Sequence, residues 1–138
     1  NWGKLFHYVL SMITYFDLKD NVVNRLFNVG ICSQEEKDKL IEELDNLFSV
    51  NEIRDFFTKK WKVKTEKEIL LPNGKTYIPD RLLFCDERVV IIDYKTGGLD
   101  FKNKEQLIRY EKALISMGFN NVTKYLIYTS LDKKLYKL

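Results

Sequence analysis

Two aspartates and a lysine, Asp80, Asp93 and Lys95, flank a pair of apolar runs in the second half of the chain. The runs are residues 82–84 and 89–92, and the polar residues between them are typical of a turn, so the pattern predicts a β-hairpin. Because side chains alternate along a strand, Lys95 is expected on the same face as Asp93. A carboxylate and an ammonium group should therefore lie side by side at the end of this hairpin.

The length of the hairpin loop decides where Asp80 lies. If Asp86 and Glu87 are the two loop residues, counting outward along the antiparallel ladder brings Asp80 directly opposite Asp93. A loop that is one residue longer or shorter would turn Asp80 to the other face of the sheet. With the two-residue loop, all the charged groups converge on one spot.

Two carboxylates that face each other call for a partner, because like charges opposite one another on a ladder cost up to about 1 kcal/mol. A divalent cation removes this repulsion, and Mg²⁺ usually takes only one or two protein carboxylates, with water and substrate phosphate as its other ligands. Such an ion can acidify a water and polarise a phosphodiester, and a lysine can neutralise charge on phosphate oxygens. The plainer alternative is a solvated strand end, where an Asp-x-Lys sequence is common.

Motifs spread along most of the chain resemble the RecB-type branch of the PD-(D/E)xK nucleases, which is found at the C-terminus of UvrD/RecB-type helicase-nucleases. Ile78-Pro79-Asp80-Arg81 and Ile91-Ile92-Asp93-Tyr94-Lys95-Thr96-Gly97 resemble the catalytic signature. Gln106-Leu107-Ile108-Arg109-Tyr110 resembles the Gln-x-x-x-Tyr helix, and Gly3-Lys4-Leu5-Phe6-His7 resembles an upstream helix with a metal-binding histidine. The resemblance implies an α/β (α+β) fold: a restriction-endonuclease-like αβββαβ core with a mixed central sheet, flanked by additional N-terminal helices.

The resemblance also implies a role for each residue of the catalytic centre. Asp80, Asp93 and Lys95 would be catalytic. The ligands of Mg²⁺ would be His7, Asp80, Asp93 and the backbone carbonyl of Tyr94. Because imidazole binds Mn²⁺ better than Mg²⁺, the histidine would allow Mn²⁺ to replace Mg²⁺. The plainer alternative for His7, the single histidine of the chain, is a hydrogen-bonded core residue on an apolar helix.

Gln106 and Tyr110 are the residues that would bind the substrate. They are four positions apart and hence neighbours on one helix surface. By resemblance, they position the substrate strand or the catalytic lysine. The alternative is a polar rim residue and a core tyrosine.

As a whole, the resemblance implies a Mg²⁺-dependent DNA exonuclease domain that acts on single-stranded ends in DNA end processing and recombinational repair. The chain has no GxxxxGK[ST] phosphate loop, so a helicase motor would lie elsewhere in the same protein or complex. Two alternatives stay open: a structure-specific or restriction-like endonuclease of the same fold, and a catalytically silent DNA-binding or scaffold module. The intact Asp80, Asp93 and Lys95 argue against the silent module.

Length and composition favour a single nuclease domain over residues 1–138, with a helical part at 1–60 and the catalytic core at 61–138. Of the 138 residues, 45% are hydrophobic, which is enough to form a core. No apolar run reaches about 18 residues and no signal peptide is recognisable, so we expect no membrane span and a cytoplasmic location. The missing initial Met suggests a piece of a longer chain. Cys32 and Cys85 are too isolated to indicate a zinc site or a disulfide.

Charge alone says little about nucleic-acid binding, because the net charge is only +3. Its distribution is more informative. Lysines and arginines cluster in residues 59–64 and 102–112, near the predicted catalytic residues, whereas the acid-rich residues 34–45 are expected to face away from DNA.

Periodicity, capping signals and turn signals predict the order of the elements. Helices are expected at residues 2–16 and 22–27, after the Ser33-x-x-Glu36 and Ser49-x-x-Glu52 capping patterns, and at 104–117 with Gly118 as the C-terminal cap. Strands are expected at 61–71 and 76–84 around an Asn73-Gly74 turn, at 122–129, and as an edge strand within 131–138.

Overall fold

The structure is a computed structural model that describes residues 1–64, 69–70, 76–102 and 104–138. It consists of two units, Asn1–Lys59 and Lys60–Leu138. The predicted Asn73-Gly74 turn lies outside the described residues. Across the described ranges, no helix is long and apolar enough to cross a membrane.

Helices form the first unit. They are α1 (Trp2–Met12), a 3₁₀ turn (Phe16–Leu18), α2 (Lys19–Asn28), α3 (Gln34–Phe48) and α4 (Asn51–Asp55). The prediction of one helix over residues 2–16 was too long, because Ile13 leaves the helix with φ −90° and ψ 95°. Ile13 and Thr14 are both β-branched, and such residues lose side-chain freedom in a helix, which favours an end at this point.

The ends of α3 show one correct and one wrong capping prediction. Ser33 and Glu36 form the predicted capping box: the Glu36 N–H donates to the Ser33 hydroxyl (3.1 Å), and the Ser33 N–H donates to the Glu36 carboxylate (2.9 Å). Ser49 was expected to cap the next helix. Instead it terminates α3, and its hydroxyl donates to the Asn46 carbonyl (2.6 Å). The short helix α4 starts after Val50 without a side-chain cap.

A five-stranded mixed sheet dominates the second unit. The strands are β1 (Lys62–Lys64), β2 (Ile69–Leu70), β3 (Thr76–Tyr77), β4 (Arg81–Cys85), β5 (Arg88–Lys95), β6 (Asn121–Tyr128) and β7 (Leu135–Lys137). The sheet order is β1-β4-β5-β6-β7, in which β5 and β6 are parallel and the other neighbours are antiparallel. β2 and β3 pair in a separate two-stranded antiparallel sheet. The predicted mixed α/β architecture is confirmed.

The predicted strand over residues 76–84 is interrupted at Pro79. β3 ends at Tyr77 and β4 begins at Arg81. Proline has no N–H to donate to a ladder, so a continuous paired strand through this position is disfavoured. The predicted strand over 61–71 is likewise represented by β1 and β2, which belong to different sheets.

Helix α5 (Lys104–Ser116) covers one face of the sheet and matches the predicted helix. It starts beyond the Lys95 end of β5 and leads back to Asn121, which pairs with Arg88 at the other end of β5. Its buried side chains pack with those of the sheet in one core cluster: Leu82, Val89, Ile91, Leu107, Tyr110, Leu114, Leu126 and Tyr128. Gly118 has φ +103°, and the Phe119 N–H donates to the Leu114 carbonyl, which confirms the predicted glycine cap.

Candidate active site

The β4–β5 hairpin has the register that the sequence predicts. Cys85 pairs with Arg88, which leaves Asp86 and Glu87 as the loop residues. Asp86 has φ +52°, a conformation that aspartate tolerates better than most residues. The pairing continues outward to Arg81 opposite Ile92, so the next residues on the two strands are Asp80 and Asp93.

Hydrogen bonds from backbone N–H groups to the carboxylates of Asp80 and Asp93 take the place of the backbone ladder beyond Arg81. The Asp80 N–H donates to Oδ1 of Asp93 (3.4 Å), and the Tyr94 N–H donates to Oδ2 of Asp80 (2.7 Å). A carboxylate therefore takes the role that a backbone carbonyl has in a regular ladder. This exchange holds the two carboxyl groups against each other at the end of the hairpin.

Lys95 completes the charged group on β5. Its Nζ lies 3.7 Å from Oδ2 of Asp93, and 19% of its side chain is exposed. Asp93 follows Ile91 by two positions, and Ile91 belongs to the core under α5. Alternation therefore puts Asp93 and Lys95 on the sheet face that α5 covers.

Burial and a neighbouring negative charge raise the pKa of Asp93. Only 6% of its surface is exposed. Burial, the charge of Asp80 and a hydrogen bond with the Asp80 side chain raise the pKa of Asp93 to about 7, although Lys95 and the Asp80 N–H act in the opposite direction. At Asp93, the ammonium group of Lys95 thus does not outweigh burial and the charge of Asp80. A divalent cation between them would restore the ionised form of Asp93 at lower pH.

Tyr94 contributes its backbone rather than its side chain to this site. Its side chain points to the other face of the sheet, where burial raises the pKa of the phenol and the Arg81 guanidinium opposes that rise. The N–H and carbonyl of one strand residue point to the same side of the strand. Because the Tyr94 N–H is directed at Asp80, the Tyr94 carbonyl is directed to that side too.

His7 lies in α1 of the first unit, and the aspartates lie in the second. The His7 side chain is half-buried, and its Nδ1 lies 3.0 Å from the Gly3 carbonyl. When Nδ1 is the donor in such a bond, the Nε2 atom carries the lone pair that can bind a metal or accept a proton. The role of His7 as a metal ligand stays a prediction.

Gln106 and Tyr110 differ in their surroundings. Gln106 is exposed in the first turn of α5, at the Lys95 end of the sheet. Tyr110 is 1% exposed within the core cluster, and burial raises its pKa to about 12. The position of Tyr110 is that of a core tyrosine, whereas Gln106 is accessible to a substrate.

Two features beside the site were not predicted. Arg81 is fully buried and follows Asp80 directly, although an arginine in a short strand gives no sign of burial in the sequence. The Tyr128 hydroxyl binds both backbone groups of Asp100, in the loop after Lys95. Only the register of β5 against β6, which puts Tyr128 opposite Lys95, could have suggested this contact.

The donors of the site suit a hard cation. Among the described residues, no group of three or more His, Cys, Asp or Glu side chains could hold a metal ion. The two carboxylates are the number that Mg²⁺ commonly takes from a protein, and a carbonyl oxygen such as that of Tyr94 is also a hard ligand. The residues present therefore fit Mg²⁺ or Mn²⁺.

No protein-family model matches this chain, and no curated protein matches it either.

Proposed function

We propose that this chain is a Mg²⁺-dependent deoxyribonuclease domain of the PD-(D/E)xK type, which also works with Mn²⁺. The observation that supports the proposal most is the buried Asp93 beside the half-buried Asp80, with the ammonium group of Lys95 at 3.7 Å from Asp93. At Asp93, burial and the charge of Asp80 outweigh the ammonium group of Lys95, so the pKa of Asp93 is raised. A divalent cation would stabilise the ionised form of Asp93, and such a cation can also promote phosphodiester hydrolysis.

Each group at the site has a distinct part in the proposed reaction. Asp80, Asp93 and the Tyr94 carbonyl hold the cation, which supplies Lewis acidity and an acidic water when bound. Asp80 is held in place by the Tyr94 N–H (2.7 Å), so its position is set by the backbone of the neighbouring strand. Lys95 donates hydrogen bonds to phosphate oxygens and stabilises the charge that develops on them.

The biological setting that we propose is an exonuclease module of a helicase-nuclease that acts on single-stranded DNA ends in recombinational repair, in the cytoplasm. Its basis is the motif resemblance together with exposed lysines in the segment after β5, such as Lys102 and Lys104. An endonuclease of the same fold is the alternative. Loss of label only from the ends of linear DNA favours the exonuclease, whereas nicking of closed circular DNA would rule out a strict exonuclease.

Lys95→Ala tests the mechanism. We expect it to lower Mg²⁺-dependent cleavage of a labelled single-stranded oligonucleotide by at least about a hundredfold, because it removes the ammonium group that binds the phosphate oxygens. Circular dichroism and DNA binding should stay close to those of the wild type. Lys39→Ala, at an exposed position of the acid-rich helix α3, is the control and should cleave normally. Unchanged cleavage by Lys95→Ala would contradict the proposed mechanism.

A further inference from the structure

The loop that follows Lys95 is fastened to the end of β6. The Thr129 N–H donates to the Lys95 carbonyl (2.9 Å), and the Ser130 hydroxyl donates to the Thr96 carbonyl (3.1 Å). Further along, the Tyr128 hydroxyl accepts from the Asp100 N–H (2.9 Å) and donates to the Asp100 carbonyl (2.6 Å). These bonds fix the backbone on both sides of the glycine pair at 97–98 and set the position of the next residue, Phe101.

Phe101 is the exposed end of a row of aromatic rings. Tyr128 is fully buried, and its ring meets that of Tyr136 edge to face at a centroid distance of 5.4 Å. The Tyr136 ring in turn meets the Phe101 ring edge to face at 6.0 Å. Phe101 itself is 41% exposed. A large apolar ring is thus held at the surface by rigid aromatic neighbours, and burial of the ring does not explain its presence there.

This aromatic row lies beside the candidate active site, on the same sheet face. Asp93 pairs with Leu126 across β5 and β6, and Leu126 pairs with Tyr136 across β6 and β7. Adjacent strands are about 4.8 Å apart, so the backbones at Asp93 and Tyr136 are separated by about 10 Å. Residues in one such row share a face, and this face also carries Lys95.

Two lysines lie beside the aromatic row. Lys102 follows Phe101 and is 86% exposed at its side chain, although its Nζ also lies 3.9 Å from the Asp100 carboxylate. Nζ of Lys133 lies 4.5 Å from the centre of the Tyr136 ring. Aromatic rings beside a positively charged path are the combination by which proteins bind single-stranded nucleic acid, with bases on the rings and phosphates at the lysines.

We propose that Phe101, supported by Tyr136, is a stacking site for a base of single-stranded DNA close to the phosphate that is cleaved. The inference rests on the proposed nuclease function and adds a contact to the base rather than to the phosphate. It accounts for the exposure of Phe101, for the fastened loop and for the neighbouring lysines at once. Stacking of this kind is tolerant of sequence because every base has a flat face.

The test compares two oligonucleotides of equal length, one of thymidines and one in which abasic sites replace all the central nucleotides. Both carry the same phosphates, but only the first can stack. Binding is measured by fluorescence anisotropy in Mg²⁺ with Lys95→Ala as the background, so that the strand stays intact. In this background, Phe101→Ala removes the ring, Phe101→Tyr retains an aromatic ring, and Ile115→Ala is a control at an exposed apolar position of α5.

We expect Phe101→Ala to weaken binding of the thymidine strand by about fivefold to a hundredfold and to leave binding of the abasic strand unchanged. Phe101→Tyr should retain the preference for the thymidine strand, and Ile115→Ala should bind both strands like the background. Equal losses for both strands, or no loss for either, would overturn the stacking proposal while the nuclease proposal stands if the wild type cleaves. Failure of the background protein to bind either strand, together with absence of cleavage by the wild type, would overturn both.

Discussion

Replacement of Asp93 by asparagine should stabilise the sheet unit at alkaline pH in the absence of metal. Asparagine has nearly the same shape as a protonated aspartate but cannot ionise. The wild type must ionise Asp93 beside Asp80 as the pH rises, and burial makes that ionisation unfavourable in the folded chain. The variant avoids this penalty, and the difference appears only at pH values at which Asp93 of the wild type is ionised.

The size of the effect follows from the pKa of Asp93. The carboxyl group titrates at 3.8 in an unperturbed chain and at about 7 in the folded one. At about 1.4 kcal/mol per pK unit, the difference corresponds to about 4 kcal/mol. Because the pKa is raised on folding, this contribution to stability is fully present below pH 3.8 and is lost as the pH rises through 7. Asp93→Asn should therefore match the wild type near pH 4 and exceed it by about 4 kcal/mol at pH 8.

Urea unfolding between pH 4 and pH 8, in EDTA, measures this difference. Trp61 is buried in the second unit, and the chain has one other tryptophan, Trp2. In a Trp2→Phe background, tryptophan fluorescence therefore reports on the sheet unit alone. With a denaturant slope of about 2 kcal/mol per molar, the urea midpoint of Asp93→Asn should be about 2 M above that of the parent at pH 8.

Asp86→Asn is the matched control, because Asp86 is exposed in the loop of the same hairpin and asparagine tolerates its positive φ. Its urea midpoint should follow that of the parent at every pH. A constant difference between Asp93→Asn and the parent across the pH range, or a lower stability of Asp93→Asn at pH 8, would refute the account of the carboxylate pair.

Two further predictions concern metal binding and helix capping. In the same urea titration at pH 8, Mn²⁺ at a hundred times its dissociation constant should raise the free energy of unfolding of the wild type by about 2.7 kcal/mol. The gain for Asp93→Asn should be far smaller, and equal gains for the two proteins would show that the ion binds elsewhere. Ser33→Ala should cost about 1 kcal/mol in urea unfolding followed by circular dichroism, because the capping box of α3 is lost. Ser49→Ala is its control, because the Ser49 hydroxyl only donates back to the Asn46 carbonyl at the end of α3 and does not cap the N-terminus of a helix; an equal cost for both would contradict the capping assignment.

The hairpin register could be predicted from the sequence because it depends on neighbouring residues only. Two apolar runs and a two-residue polar loop fix which residues face each other, and Asp80 then falls opposite Asp93. The break at Pro79 could have been foreseen from the missing N–H of proline. Ser49 misled because Ser-x-x-Glu also fits the last turn of a helix, where the hydroxyl can donate to a carbonyl behind it.

The electrostatics of the site and its aromatic row could not be predicted from local patterns. The raised pKa of Asp93 depends on burial, which the packing of the whole unit determines. Phe101 and Tyr136 meet because β7 pairs with β6 and because Tyr128 holds Asp100 from a position 28 residues away. Contacts over such a distance follow from the topology of the sheet and leave no signal in a short stretch of sequence.

A crystal of the wild type soaked in Mn²⁺ at pH 8 tests the central claim most directly. The anomalous difference map locates the ion without reference to any assay. We predict a peak within coordination distance of the carboxylates of both Asp80 and Asp93, at the end of the β4–β5 hairpin. Absence of a peak there, or Mn²⁺ bound only at other positions, would contradict the proposed metal site.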